Sequence, residues 1–102
     1  MSINNDTLQK LEKISKKKLT FGNLINAIRL SEELSQVEFS DMLNVSKQYL
    51  CDIEHARRSV SIDVAAAWAK KLGYSPEQFV RLAIQDGLNK SKLKFIVYLR
   101  AA

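Results

Sequence analysis

The sequence predicts an all-α fold, in which a five-helix domain follows an N-terminal helix and precedes a short C-terminal strand. Apolar residues recur at helical intervals along most of the chain, and five of these stretches begin after a Ser or Thr that can cap a helix. Only the last apolar segment, 93–99, alternates with the period of two that indicates a strand. Because 102 residues suit one hydrophobic core, we expect a single domain over residues 1–102.

Residues 1–19 are predicted to contribute a short helix and a basic run. Asn5 or Asp6 can cap this helix. Its three apolar residues precede three consecutive lysines: Leu8, Leu11, Ile14, Lys16, Lys17 and Lys18. A helix this short is expected to be marginal by itself.

Residues 20–87 are predicted to form the five-helix domain. The capping residues are Thr20, Ser35, Ser46, Ser61 and Ser75. Ser35 and Glu38 have the spacing of a capping box, in which each side chain bonds to the other residue's backbone N–H. Asn44 can adopt the left-handed conformation that reverses the chain after the second helix. Gly73 and Gly87 are expected to end the fourth and fifth helices.

The C-terminal extension, residues 88–102, contains the predicted strand, which is rich in β-branched and aromatic residues. Its apolar residues are Leu93, Phe95, Ile96, Val97, Tyr98 and Leu99. Because no other segment has a strand pattern, the backbone groups of this strand need a partner, and we expect that partner to be another chain. The alternative is a tail that packs as coil against the helices.

The charge distribution favours an anionic partner for one part of the chain. The formal net charge is +5, but residues 21–45 carry one base and four acids. Residues 46–74 carry five bases and three acids. Binding to an anion should therefore centre on the segment that begins at Ser46.

The composition argues against several other classes of protein. The single His55 and single Cys51 supply neither a metal cluster nor a nucleophile with an evident base, so we expect no enzyme, metal site or cofactor. A lone cysteine excludes an internal disulfide, and no segment is apolar over the roughly 18–20 residues that a membrane helix needs. The sequence thus predicts a cytoplasmic protein that does not contact a membrane.

The segment Leu34–Ser61 carries the motif that predicts function. Two short helices joined at Asn44 turn polar residues of the second helix outward, which is the arrangement that reads the major groove of double-stranded DNA. This segment resembles the Cro and lambda-repressor-like helix-turn-helix family, of XRE type, and the resemblance extends from about Leu24 to Tyr74. The family's small position and its buried apolar positions are occupied by Ser40, Phe39, Leu43, Val45, Leu50 and Ile53.

Three positions depart from the family pattern. Asn44 and Ala56 stand where the turn and the end of the recognition helix commonly carry Gly, and Val60 stands where Pro is common. Asn adopts a left-handed conformation at little cost, whereas Ala does not. The loop after the recognition helix is therefore expected either to continue helically or to differ in shape, which affects where Arg57 and Arg58 lie.

The resemblance implies that Arg29 pairs with Glu54. Such a pair would clamp the first helix of the domain to the end of the recognition helix. Deleting one partner of a buried pair leaves an unmatched charge, at a cost of about 3–5 kcal/mol. The alternative is two independently solvated surface charges.

The resemblance also implies which residues contact DNA. The predicted base-reading residues are Lys47, Gln48, Tyr49, Cys51 and Asp52. Lys can donate to guanine, Gln can form a bidentate pair with adenine, and Asp can accept from cytosine. The predicted phosphate contacts are Gln36, Ser46, Arg57 and Arg58. The alternative is that this polar helix face is simply solvated.

Together these patterns predict a transcriptional repressor that binds a palindromic operator as a homodimer. A dimer on two half-sites gains affinity without new base contacts, and the C-terminal strand would join the two protomers. A different class of function is a protein-binding module similar to HigA-type antitoxins, in which the strand or the Leu8–Ile14 helix would hold a toxin. A general coactivator with weak sequence preference is a third alternative.

Overall fold

The computed structural model describes residues 19–102, which form five helices. In chain order they are α1 (Phe21–Ser31), α2 (Gln36–Leu43), α3 (Lys47–Glu54), α4 (Ile62–Leu72) and α5 (Pro76–Lys90). The predicted all-α architecture of five helices is thereby confirmed. The helix and the three lysines predicted before Leu19 lie outside the described residues. None of the described helices is long and apolar enough to cross a membrane.

Hydroxyl side chains start four of the five helices. Each accepts the backbone N–H three residues further on, over 3.0 to 3.2 Å, from Thr20, Ser35, Ser46 and Ser61. The capping box of α2 is complete, because Glu38 Oε1 also accepts the Ser35 N–H at 2.9 Å. Hydrogen bonds from the Ser35 backbone and hydroxyl lower the pKa of Glu38. The Ser75 side chain makes no capping hydrogen bond, so the expectation that it caps the fifth helix in this way is wrong. That helix begins with Pro76, whose missing N–H is not needed at the first helical position.

All five described helices end in the same way, with one residue of positive φ. The N–H of this residue and the N–H of the next residue both return to the last turn of the helix, which is the Schellman motif. The positive-φ residues are Glu33, Asn44, Ala56, Gly73 and Lys92. The expectation that Gly87 ends α5 is wrong, since the helix continues to Lys90. A glycine within a helix costs only about 1 kcal/mol, which the packing of α5 outweighs.

The core forms where α1 contacts α3 and α5, and where α4 packs on α5. Phe21 is central to it, with its ring centroid 5.8 Å from that of Phe79 and 6.0 Å from that of Trp68. The buried apolar side chains are Phe21, Leu24, Ile25, Ile28, Phe39, Leu43, Leu50, Ile53, Ala65, Trp68, Ala69, Phe79, Leu82 and Ala83. Leu50 and Ile53 fix one side of α3 to this core, so that the other side faces solvent.

The predicted C-terminal strand is wrong: residues 19–102 contain no strand. The backbone after Lys92 instead follows α5, and the buried side-chain amide of Gln85 holds it. Gln85 Nε2 donates to the Phe95 carbonyl at 2.8 Å, and Gln85 Oε1 accepts the Val97 N–H at 2.8 Å. The alternating pattern suits a half-buried extended segment, but a strand also needs a neighbouring strand, and a single side chain takes that place here.

Candidate nucleic-acid interface

The turn between α2 and α3 sets the angle of the two helices. Asn44 has φ 58° and ψ 44°, the left-handed conformation predicted for it, and the Val45 N–H returns to the Ser40 carbonyl at 3.0 Å. Ser40 is buried, and its hydroxyl donates to the Val37 carbonyl at 2.9 Å. A small residue here therefore allows α3 to cross α2 closely.

The carboxyl end of α3 is buried and held by a dense polar cluster around Glu54. Arg29 Nε donates to Glu54 Oε2 at 2.8 Å, and a second guanidinium nitrogen donates to Glu54 Oε1 at 3.0 Å. Asn26 and Gln36 add amide donors to the same Oε1, at 3.0 and 3.2 Å. Arg29 also donates to the Leu34 carbonyl at 3.0 Å, so one guanidinium joins α1, the α1–α2 loop and α3.

The ionisation of Glu54 depends on this cluster. Its side chain is only 2% exposed, and that of Arg29 is 14% exposed. Burial opposes the charged form, but the hydrogen bonds from Arg29, Asn26 and Gln36 outweigh it and lower the pKa of Glu54. Glu54 therefore remains a carboxylate in the fold.

Gly22 brings α1 into direct contact with the end of α3. A Cβ atom at this position would overlap the backbone carbonyl oxygen of Ile53. Any larger residue would push the two helices apart, because a backbone atom cannot move aside as a flexible side chain can. Gly22 and the Glu54 cluster thus fix the same end of α3.

The amino-terminal half of α3 has the opposite character. Lys47 and Gln48 are exposed, and one turn later Asp52 is half-buried beside them. Asp52 Oδ1 accepts from Arg57 Nε at 3.0 Å and from Gln48 Nε2 at 2.9 Å. Both hydrogen bonds lower the pKa of Asp52, and the bond from Arg57 has the larger effect. The bridge orients the Gln48 amide and offsets a negative charge on this face.

Tyr49 and Arg58 form a cation–π pair beside this face of α3. The half-buried Tyr49 ring packs edge-on against Trp68, with centroids 6.3 Å apart. The Arg58 guanidinium lies over the Tyr49 ring, 4.9 Å from its centroid. Tyr49 therefore connects the core to an exposed cation, rather than projecting freely towards solvent.

The loop after α3 places Arg57 and Arg58. Ala56 has φ 59°, so the loop keeps the backbone shape that Gly commonly provides, and the Arg57 N–H closes onto the Asp52 carbonyl at 2.8 Å. The expectation that this loop continues helically or differs in shape is therefore wrong. The side chains of both arginines contact α3, Arg57 at Asp52 and Arg58 at Tyr49.

The other predicted contact residues differ in what they already bind. The Ser46 hydroxyl caps α3 by accepting the Tyr49 N–H at 3.0 Å. Gln36 is half-buried and directs its amide nitrogen to Glu54, which leaves one amide hydrogen for a phosphate. Cys51 is half-buried, with its sulfur 3.4 Å from an Arg57 nitrogen and 3.6 Å from His55 Nδ1. Among residues 19–102, no group of three or more potential metal-ligating side chains occurs.

Sequence reasoning missed several residues that shape this site. The i+4 spacing of Gly22 and Asn26 on the inner side of α1 was a usable signal for close helix contact. Asp86 was not predictable in this way, because it lies on α5 and accepts the Phe21 N–H at 2.9 Å across the fold. Burial raises the pKa of Asp86, and this hydrogen bond opposes the shift.

Comparison with known proteins identifies the fold that carries this geometry. The helix-turn-helix family profile matches residues 25–79. The immunity repressor protein of Bacillus phage phi105 is 40% identical over 55 residues, covering 54% of this chain and 38% of that protein. Control protein C.BamHI of Bacillus amyloliquefaciens is 33% identical over 64 residues, covering 62% of this chain and 79% of that protein.

The match to the phage repressor thus spans less than half of its length. No solved structure matches the chain significantly. The matched range nevertheless includes α2, the turn and α3, together with most of α1 and all of α4. The protein therefore belongs to the XRE-type, lambda-repressor-like helix-turn-helix family.

Proposed function

We propose that this protein is a transcription regulator that binds double-stranded DNA sequence-specifically and represses as a homodimer on a palindromic operator. The observation that carries the proposal is the polarity of α3: Glu54 fixes its carboxyl end in the core, while Lys47 and Gln48 at its amino-terminal end are exposed. A helix held in this way can place its first turn in a major groove.

The Gln48 amide is arranged to read adenine. Asp52 takes one of the two hydrogens on Nε2, so the second hydrogen and the carbonyl oxygen remain. Those two atoms are the donor and acceptor that a bidentate pair with adenine needs. Lys47 can donate to guanine from the neighbouring position, and Asp52 acts chiefly by positioning Gln48.

The exposed arginines would supply the phosphate contacts. Stacking on Tyr49 limits the conformations of Arg58, so less entropy is lost when it meets a phosphate. Arg57 is held by Asp52 in the free protein and can exchange that carboxylate for a phosphate. Ser46 and the second amide hydrogen of Gln36 would add contacts at the amino-terminal ends of α3 and α2.

The relatives support the regulatory part of the proposal, because one is named an immunity repressor and another a control protein. A dimer is proposed because a single α3 reads only a few base pairs. Two copies on half-sites one helical turn apart would gain affinity through linkage alone.

The test is selection from a random pool of double-stranded DNA, followed by sequencing. The wild type should enrich a palindrome. Gln48→Ala should lose preference at one position in each half-site, whereas Arg58→Ala should weaken binding to all selected sites alike. Lys70→Ala, which removes an exposed base from α4, serves as the matched control and should change neither. Absence of any enriched sequence at low salt would refute sequence-specific binding.

A second candidate function, capture of a toxin protein, rests on the exposed apolar residues of the C-terminal tail. In that case Ile96→Asp would abolish binding of the partner protein and leave DNA binding unchanged. If the protein is a dimeric repressor, the same Ile96→Asp substitution would instead abolish cooperative binding to the palindrome.

A further inference from the structure

Among residues 19–102, exposed apolar side chains are concentrated in the tail, residues 93–102. Among the described residues, eight large hydrophobic side chains are exposed, and four of them lie within 93–98. They are Leu93, Phe95, Ile96 and Tyr98, with exposures of 46, 64, 61 and 84%. Such a local concentration indicates a surface that another molecule covers.

Gln85 binds one backbone edge of this tail, and no described residue binds the other edge. It bonds to the Phe95 carbonyl and the Val97 N–H, in the way that one residue of a parallel strand would. In an extended segment, residues 94, 96 and 98 direct their N–H and C=O groups to the opposite edge. Their backbone groups make no hydrogen bond within the described part of the chain.

We infer that this free edge binds the same edge of a second copy of the chain, as an antiparallel pair with its two-fold axis at Ile96. The inference deepens the homodimer of the proposed function by naming its interface. Ile96 of each copy would exchange two backbone hydrogen bonds with Ile96 of the partner subunit, and Lys94 would do so with Tyr98 of the partner subunit.

The tail sequence is complementary to itself in this register. The segment 93–99 is centred on residue 96, so most of its apolar residues oppose one another: Leu93 faces Leu99 of the partner subunit, and Phe95 faces Val97 of the partner subunit. A register centred on residue 95 would place Leu99 against Ser91, which caps α5. A register centred on residue 97 would place Lys94 opposite Arg100 of the partner subunit, so that two cations would face each other.

Charge and shape agree with a centre at Ile96. Lys94 would lie beside the Tyr98 ring of the partner subunit rather than beside another cation. A cleft of about 550 Å³ between α5 and the tail is lined by Asn89, Lys92, Leu93, Lys94, Phe95 and Ile96. Because Lys94 lines this cleft and pairs with Tyr98 of the partner subunit in this register, the cleft can receive that tyrosine side chain.

The first test measures dimerisation by sedimentation equilibrium without DNA. Ile96→Asp replaces an apolar pair with two opposed carboxylates, and should raise the dimer Kd about tenfold or more, which corresponds to about 1.4 kcal/mol. Ile62→Asp is the matched control, because Ile62 on α4 is similarly exposed at 53%. It should leave the Kd unchanged. A wild-type chain that remains monomeric, or equal effects of the two variants, would overturn the inference.

The second test measures the register by disulfide cross-linking with oxidised glutathione, in a Cys51→Ser background. Positions 95 and 97 would face each other as a non-hydrogen-bonded pair, with Cα atoms about 4.5 Å apart, which a disulfide can span. Phe95→Cys with Val97→Cys should therefore cross-link two chains. Leu93→Cys with Val97→Cys, which matches a centre at residue 95, should not. Cross-linking of the second pair, with or without the first, would overturn the register, because a centre at residue 95 or 97 would link both pairs.

These measurements separate the interface from DNA recognition. If Ile96→Asp disrupts a dimer and the wild type selects no DNA sequence, the proposed function fails while the interface stands. If the wild type selects a palindrome but shows none of the expected tail effects, the interface inference fails alone.

Discussion

The two ends of α3 differ in burial, in hydrogen-bond partners and in contacts with other helices. Glu54 at one end is buried, receives donors from three side chains and contacts the helix that carries Gly22. Gln48 at the other end is exposed, and its only described partner is one turn away on the same helix. The contrast shows how an eight-residue helix can be rigidly placed and still present a free polar surface: its placement comes from its apolar side, with Leu50 and Ile53, and from its carboxyl end.

The largest effect is expected from removing the buried carboxylate. Glu54→Ala leaves the Arg29 guanidinium without a counter-charge, and should lower the free energy of unfolding by about 3–5 kcal/mol in a urea titration. Asp52→Ala removes another acid of α3, two residues away, and should change stability little, because its pair with Arg57 is exposed. Equal losses for the two variants would contradict the difference between the two ends.

The contact between α1 and α3 can be tested with a pair of glycine substitutions. Gly22→Ala places a Cβ against the Ile53 carbonyl and should destabilise the fold by about 1–3 kcal/mol. Gly87→Ala, in a helical position with open space around it, should stabilise by about 0.5–1 kcal/mol. Thermal unfolding of both variants should show changes in stability of opposite sign. A stabilising Gly22→Ala would refute the close approach of α1 to the Ile53 carbonyl.

The contribution of Glu54 to the free energy of unfolding should also depend on pH. Because its pKa is lower in the folded state, the ionised carboxylate stabilises the fold above its unfolded pKa, and this contribution is lost as pH falls through the lowered value. The stability difference between wild type and Glu54→Gln should therefore be full at neutral pH and shrink below about pH 4.5. Comparing these two chains cancels the opposite contribution of Asp86, whose pKa is raised. A difference that grows on acidification would contradict the assignment.

The smallest effect is expected just after the buried end of α3. Ala56 adopts φ 59°, so Ala56→Gly relieves a left-handed alanine and should stabilise by about 0.5–1 kcal/mol after the greater flexibility of unfolded Gly is counted. Ala67→Gly, at an exposed position within α4, should instead destabilise by about 1 kcal/mol. Chemical denaturation of the two variants distinguishes them, and a destabilising Ala56→Gly would show that the alanine is unstrained.

Local chemistry made much of the fold predictable from the sequence. Ser35 and Glu38, Asn44 and Pro76 act over three or four residues, and their roles in starting or ending helices follow from side-chain hydrogen bonds and backbone freedom. Long-range contacts were less accessible. The pairing of Arg29 with Glu54 came only from a family resemblance, and Asp86 meets Phe21 across 65 positions with no sequence signal.

The tail shows why local pattern can mislead. Leu93–Leu99 has the composition of a strand, yet hydrogen bonding decides whether a strand forms, and Gln85 satisfies one edge of this segment. A buried glutamine within a helix gives no sign of which backbone it will bind. Ala56 misleads in the other direction: its low tendency towards positive φ suggested a different loop, but the Schellman hydrogen bonds impose the common shape.

In the proposed mode of binding, the exposed end of α3 reads the DNA sequence and the buried end only supports it. The most direct measurement is the affinity of wild type and Gln48→Ala for a selected DNA site and for versions of it with each single base pair changed. The wild type should lose about 1–3 kcal/mol when the adenine opposite Gln48 is replaced, and Gln48→Ala should lose that discrimination at this base pair alone. A Gln48→Ala protein that retains the full preference for adenine, or weakens equally on every DNA, would contradict the account.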